Sequence, residues 1–228
     1  MLWPLLIALG FASGSIPFGL IIGRLRGVDI REHGSRNIGA TNVMRVLGRG
    51  PGIACFILDV AKGLGPTLGA GLAMGLAGRW TIEAQPMALW LCVAAACVLG
   101  HMYSPWVRLR GGKGVATGLG ALLGVFPLVM WPAVGGLVVW IALLKLTRYV
   151  SVASIAAAAS LPILTGVEMA LLGAQGRPAG AGLGVALGFL VALALLVIWK
   201  HRSNIARLRA GTEPPIGSPT PTRGPDPQ

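Results

Sequence analysis

From Gly114 to Thr147 the chain carries one charged side chain, Lys145. An apolar run of about 18 residues already suggests a bilayer span, and this one is too long for a single crossing. Other runs behave alike: only 11% of the 228 residues are charged, where a soluble domain has about 25%. The length is therefore spent on membrane helices rather than on a soluble core, and the expected fold is an all-α membrane protein. The 35 glycines agree, because small residues let membrane helices approach closely. They recur at four-residue steps in Gly65/Gly69, Gly71/Gly75, Gly114/Gly118, Gly120/Gly124 and Gly184/Gly188.

The spans follow in order. The first runs from Met1 to about Gly23, and the basic residues that follow it argue against a cleaved signal peptide. Pro51 opens a second to about Gly78, and a third runs from Pro86 to Tyr103. The long run divides into a short, glycine-rich span near Gly114–Leu128, tilted or partly re-entrant, and another near Trp131–Leu146. Ser151 to about Glu168 and Gly180 to Trp199 complete seven. From Gly211 onward the proline-rich sequence is expected to be a disordered tail, leaving residues 1–210 as a single membrane domain and 211–228 outside it.

The net charge of +12 has to be read by position. Basic residues mark cytoplasmic loops, and of the 19 only Arg79 and Arg177 fall in outer segments when the N-terminus is placed outside. Six spans would move the cluster around His201 to the outside, so seven, with the C-terminus in the cytoplasm, is the expectation. Nothing resembles a nucleic-acid recognition module. Cys55, Cys92 and Cys97 lie in apolar runs without zinc-ligand spacing, and neither a metal nor another cofactor is expected.

Three polar clusters share one face of this topology. In the first, Gly34-Ser35-Arg36-Asn37-Ile38-Gly39-Ala40-Thr41-Asn42-Val43-Met44-Arg45, side-chain donors precede a helix N-terminus, whose free N–H groups suit an anion. Arg45 adds a guanidinium that binds phosphate in bidentate fashion. Helix capping would account for Ser35 or Asn37 but not for the whole set. The second, Gly111-Gly112-Lys113-Gly114, puts N–H groups and an ammonium at a helix mouth without the spacing of a nucleotide P-loop. In the third, His201 and Asn204 are three apart and share a helix face, while the neighbouring Lys200, Arg202, Arg207 and Arg209 read as a basic membrane edge. Asp59 and Lys62 look like an intramembrane ion pair, equally open to a structural and a catalytic role.

Taken with Ser13-Gly14-Ser15-Ile16-Pro17-Phe18-Gly19, Asp59-Val60-Ala61-Lys62-Gly63 and His201-Arg202-Ser203-Asn204-Ile205, these motifs resemble one family from about residue 13 to 208. It is the bacterial acyl-phosphate-dependent glycerol-3-phosphate acyltransferases. The resemblance implies a seven-helix enzyme of the bacterial inner membrane with a cytoplasmic active site. Its substrates would be acyl phosphate and glycerol 3-phosphate, and its product lysophosphatidic acid. The His-x-x-x-x-Asp motif of acyltransferases that use CoA thioesters is absent: the fifth residue after His33, His101 and His201 is Ile38, Trp106 and Ala206. Carried over residue by residue, the resemblance assigns Ser35, Lys113, His201 and Asn204 to catalysis. It assigns Asn37, Thr41, Arg45, Gly111, Gly112, Gly114 and Ser151 to substrate binding.

An acyl phosphate is already an activated carbonyl, so the expected work is positioning and charge stabilisation. In this reading Gly111, Gly112, Thr41 and Ser151 grip the donor phosphate, and Arg45, Lys113, His201 and Asn204 hold glycerol 3-phosphate. The hydroxyl proton passes to the donor phosphate rather than to His201, and Ser35 positions without being acylated. A transporter of phosphorylated molecules is the alternative; it should show internal repeats or polar groups near midplane, neither of which is evident. The bilayer is the one partner expected besides the substrates, and a monomer fits.

Overall fold

The computed structural model of the chain describes residues 2–176 and 180–217, and among these every regular element is a helix. The expected first span is broken in two, α1 (Trp3–Ser15) and α2 (Phe18–Leu25). Pro17 has no N–H to donate, and the N–H of Ile16 closes a tighter turn on the Ser13 carbonyl at 3.2 Å. A loop leads to α3 (Ala40–Leu47), then α4 (Arg49–Ala73) and α5 (Ala84–Met102), which ends in a single 3-10 turn at Pro105–Val107. The remaining helices are α6 (Val115–Gly124), α7 (Met130–Thr147), α8 (Val150–Ala174), α9 (Ala181–Lys200) and α10 (Arg202–Arg209). Helix α4 begins upstream of Pro51, which a first turn tolerates. Helix α8 runs past Glu168 because Met169–Leu172 continue the apolar run.

Six segments are long and apolar enough to cross a bilayer: Trp3–Leu25, Arg49–Ala73, Ala84–Val107, Met130–Thr147, Val150–Ala174 and Ala181–Lys200. Helix α6 is not among them. Its 10 residues rise about 15 Å, half of a bilayer core. It packs parallel to α4, with Thr117 against Gly63 and Gly124 against Thr67. Gly63 lies about four turns into α4, so α6 begins inside the bundle. It then runs to the end where α4 finishes, and there the Gly78 N–H donates to the Phe126 carbonyl at 3.0 Å.

Backbone contact sets this arrangement. A Cβ on Gly120 would lie 1.9 Å from the Val60 carbonyl oxygen, and one on Gly14 would lie 2.1 Å from that of Cys97. Of the glycine steps in the sequence, Gly120/Gly124 marks an interface, whereas Gly65, Gly69, Gly184 and Gly188 meet open space. The main core joins α5, α6 and α9 around Trp90, Val93, Leu122 and Leu190. A smaller one, with Leu20, Ile30, Ile38, Val43, Cys55 and Val107, lies beneath the loop before α3.

The tail expected to be disordered from Gly211 is folded back over its first residues. The Thr212 N–H donates to the Arg207 carbonyl and the Ile216 N–H to that of Arg148, each at 2.8 Å. The bundle therefore continues to Gly217, because a carboxylate in this segment has partners in the site described below. Residues 218–228 lie outside the described residues, as does Arg177.

Backbone-on-backbone packing has no room to relax. Gly120→Val is expected to lower the thermal unfolding midpoint in detergent sharply or to prevent folding. Gly184→Ala, facing open space in a helix interior, is expected to leave the midpoint unchanged or to raise it slightly.

Candidate active site

The first motif is built around Asn42, which is 1% exposed. Its amide N–H groups donate to the carbonyls of Ile30 (2.9 Å) and His33 (3.2 Å), and its Oδ1 accepts the Ser35 N–H at 2.8 Å. The chain reverses at Gly34 with φ +58°, where a Cβ would also lie 2.4 Å from Asn42 Oδ1. Asn37 Oδ1 accepts the Gly39 N–H at 2.9 Å, a local turn that sets up the start of α3. Ser35 is exposed, and its hydroxyl has no hydrogen bond to a base among the described residues. Arg45 lies half-buried on α3.

The glycine loop differs from the expected phosphate cradle. The Gly111 N–H is donated to the Met102 carbonyl and the Gly112 N–H to the His101 carbonyl, both at 3.2 Å. A Cβ on Gly112 would fall 2.1 Å from the His101 ring. These two glycines are what lets the loop rest on the end of α5, and their N–H groups are not free for a ligand. Gly114, with φ +79°, instead starts α6 by accepting the Gly118 N–H at 2.7 Å.

The third cluster closes the site. Lys113 Nζ donates to Asn204 Oδ1. Asn204 Nδ2 donates to Glu213 Oε1 at 2.6 Å, Ser151 Oγ donates to the same oxygen at 2.8 Å, and Arg207 Nε donates to Oε2 at 2.7 Å. Burial alone would raise the Glu213 carboxyl, but these donors outweigh it and hold its pKa below the usual value. Glu213 escaped sequence reasoning because proline dominates its surroundings. Asn42 was visible only as a member of its motif.

Ser35, Asn37, Thr41, Arg45, Lys113, Gly114, Ser151, His201 and Asn204 line one cleft of about 750 Å³, joined by Asp59, His101, Arg207 and Glu213; Gly111 and Gly112 stay outside it. Four helices begin at its wall. The residues Ala40 and Thr41 of α3, Val115 and Ala116 of α6, Val150 and Ser151 of α8, and Ser203 and Asn204 of α10 all line it. First-turn N–H groups have no partner within their own helix, and each such terminus carries about half a positive charge. With Arg36, Arg45, Lys113 and Arg207 against Asp59 and Glu213, the cleft lining is net positive. An apolar cavity of about 70 Å³ adjoins it between α6, α7 and α8, sharing Phe56, Gly114, Val115, Trp140 and Ser154.

Two titrations matter for chemistry. Burial pushes the Lys113 ammonium down to about 8, only partly offset by Glu213. Burial, then the Lys113 charge, pushes His201 down to about 4. The ring of His201 is therefore neutral at neutral pH. Its Nδ1 lies 2.8 Å from the Val197 carbonyl, which assigns the proton to Nδ1 and leaves Nε2 as an acceptor.

Fold and cleft together define a class: a polytopic helical membrane protein with one basic cleft sunk into one end of its bundle. The family described as glycerol-3-phosphate acyltransferase matches residues 4–211. A glycerol-3-phosphate acyltransferase of Geobacter sulfurreducens is 43% identical over 209 residues, covering 92% of this chain and 95% of the relative. One of Thermosynechococcus vestitus is 41% identical over 215 residues, covering 94% and 95%. The crystal structure of PlsY (YgiH), an integral membrane glycerol 3-phosphate acyltransferase, in its glycerol 3-phosphate form superposes with a TM-score of 0.77. It is 36% identical, with 95% of this chain and 96% of that one covered. The chain belongs to the glycerol-3-phosphate acyltransferase family, as its motifs indicated.

The depressed Lys113 value has a sign. An anion is attracted by the ammonium, which is present below pH 8 and lost above it. We expect kcat/KM for glycerol 3-phosphate to fall as pH rises through about 8, and Lys113→Arg, which stays charged, to lack that limb.

Proposed function

We propose that this enzyme transfers a fatty acyl group from an acyl phosphate to the 1-hydroxyl of glycerol 3-phosphate, giving lysophosphatidic acid and inorganic phosphate. The observation that carries this reading is the convergence of four helix N-termini with Arg45 and Lys113 on one cleft beside an apolar cavity. Two phosphorylated reactants need a basic volume of this size, and a fatty chain needs apolar wall next to it. The donor phosphate is held by Ser151, Thr41 and the first N–H groups of α6, the role expected of Gly111 and Gly112 passing to Val115 and Ala116. Arg45, Lys113, His201 and Asn204 hold glycerol 3-phosphate, and Ser35 orients the reactants. The acyl chain enters the cavity between α6, α7 and α8.

Transfer is direct. The acceptor oxygen forms a bond to the carbonyl carbon, the bond from that carbon to the phosphate oxygen breaks, and the hydroxyl proton leaves with the phosphate. The positive cleft stabilises the oxyanion of the addition step. Glu213, an acidic group drawn into the cation cluster, keeps Asn204, Ser151 and Arg207 oriented.

In the membrane we place seven crossings, the short one being α6 with residues 125–129, whose parallel course beside α4 supports it. The N-terminus then lies outside, and the cleft faces the cytoplasm of a bacterial inner membrane. The concentration of arginines at the cleft end follows the distribution of basic residues in cytoplasmic loops.

Purified protein is expected to form lysophosphatidate from glycerol 3-phosphate and palmitoyl phosphate but not palmitoyl-CoA. Arg45→Ala should lower kcat/KM for glycerol 3-phosphate by about 100-fold, the scale of a lost charge-assisted hydrogen-bonded contact. Equal use of the CoA thioester, or normal kinetics in the variant, would remove the donor assignment or Arg45 respectively.

A further inference from the structure

One buried charged cluster reaches the cleft wall through Asp59 and His101 but has no role assigned in that chemistry. Asp59 and Lys62 lie one turn apart on α4, each side chain 2% exposed, with Lys62 Nζ 2.8 Å from Asp59 Oδ1. A buried ion pair is often no more stable than apolar side chains of the same volume, so stability alone does not account for it. Each member reaches a different motif-bearing segment.

Lys62 holds the break in the first span. Its ammonium donates to the Ile16 carbonyl at 2.7 Å and stands 5.7 Å over the Phe18 ring, while Ser13 Oγ donates to the Lys62 carbonyl at 3.0 Å. Just past the break, a Cβ on Gly19 would lie 1.9 Å from the Ile38 carbonyl oxygen, so α2 rests directly on the first motif. Asp59 faces the other way. Its Oδ1 lies 3.8 Å from His101 Nδ1, and His101 is the residue against which Gly112 packs and to which it donates. Asp59 Oδ1 and His101 Nδ1 are buried, and neither makes a well-directed hydrogen bond among the described residues. Charge and packing hold the cluster, and it spans the gap between both segments.

We propose that Asp59 and Lys62 are positioning residues that fix the distance between the Ser35–Arg45 segment and the Lys113 loop. The alignment of acceptor hydroxyl and donor carbonyl then depends on them. The proposal rests on the two-substrate reading above. Each segment keeps its own fold, through Asn42 in one and the start of α6 in the other, and each substrate is also held from outside both, the donor by Ser151 and the acceptor by His201 and Asn204. Disturbing the spacer therefore leaves each substrate bound but misaligned. A misplacement of about 1 Å costs about 100-fold in rate, and a loss confined to the aligned complex lowers kcat without raising KM.

Two variants of the full chain in detergent test this. Asp59→Leu/Lys62→Met removes both charges and leaves no unpaired charge, at the loss of the ammonium donor to the Ile16 carbonyl, whereas Lys62→Arg keeps a donor for Ile16 and a cation for Asp59. For the double variant we expect a near-normal unfolding midpoint, both KM values within about threefold of the unaltered enzyme, and kcat about 100-fold lower. Lys62→Arg should recover kcat to within about tenfold. A double variant with unaltered kcat, or one whose KM values rise as steeply as kcat falls, would overturn the proposal. So would a folded but inactive Lys62→Arg, or failure of both variants to fold, which would make the pair a requirement of the bundle alone. If only the double variant fails to fold, Lys62→Arg decides: folded and active supports the proposal. An unaltered enzyme that makes no lysophosphatidate fails the underlying reading instead, before either variant is assayed.

Discussion

Four helix N-termini lining one volume leave a set of backbone N–H groups that nothing else among the described residues satisfies. At the edge of a low-dielectric bundle such groups, joined by Arg45, Lys113 and Arg207, call for negative charge. Much of the architecture serves that convergence. Helix α6 is short because it must begin inside the bundle beside Gly63. The first span is broken so that α2 supports the loop leading into α3. The segment after α10 turns back to bring Glu213 to Ser151, Asn204 and Arg207.

This geometry explains the absence of a recognisable nucleophile–base pair around Ser35. With an acyl phosphate as the proposed donor, the carbonyl arrives activated and the leaving group is stable as an anion. The protein's contribution is then alignment and charge, both of which a preorganised basic cleft supplies without reorganisation during the reaction. His201 fits the same picture. Burial keeps its ring neutral, and its contact with the Val197 carbonyl fixes the tautomer; in the proposed reaction it therefore accepts a hydrogen bond from the acceptor substrate without needing to carry a proton away.

Much of this was legible in the sequence, because hydrocarbon leaves few choices. Charge-poor runs marked the helices, and clustered arginines marked the end of the bundle that carries the cleft. Arg45, Lys113, Ser151, His201 and Asn204 meet there despite their distance along the chain. What stayed hidden depended on orientation. Nothing in Gly-Gly-Lys-Gly reveals that the carbonyls of His101 and Met102 take up the first two N–H groups. Proline content made the stretch from Gly211 look unstructured, although one carboxylate with three donors anchors its first residues. The break at Pro17 was equally invisible, since proline in membrane helices is tolerated wherever neighbouring groups satisfy the freed backbone.

The central claim is that both phosphorylated substrates occupy the cleft together and that no acyl-enzyme intervenes. Initial velocities measured while acyl phosphate and glycerol 3-phosphate are varied against each other test it directly. The account predicts intersecting double-reciprocal lines, the mark of a ternary complex. Parallel lines, the pattern of a ping-pong reaction through a covalent intermediate, would contradict it.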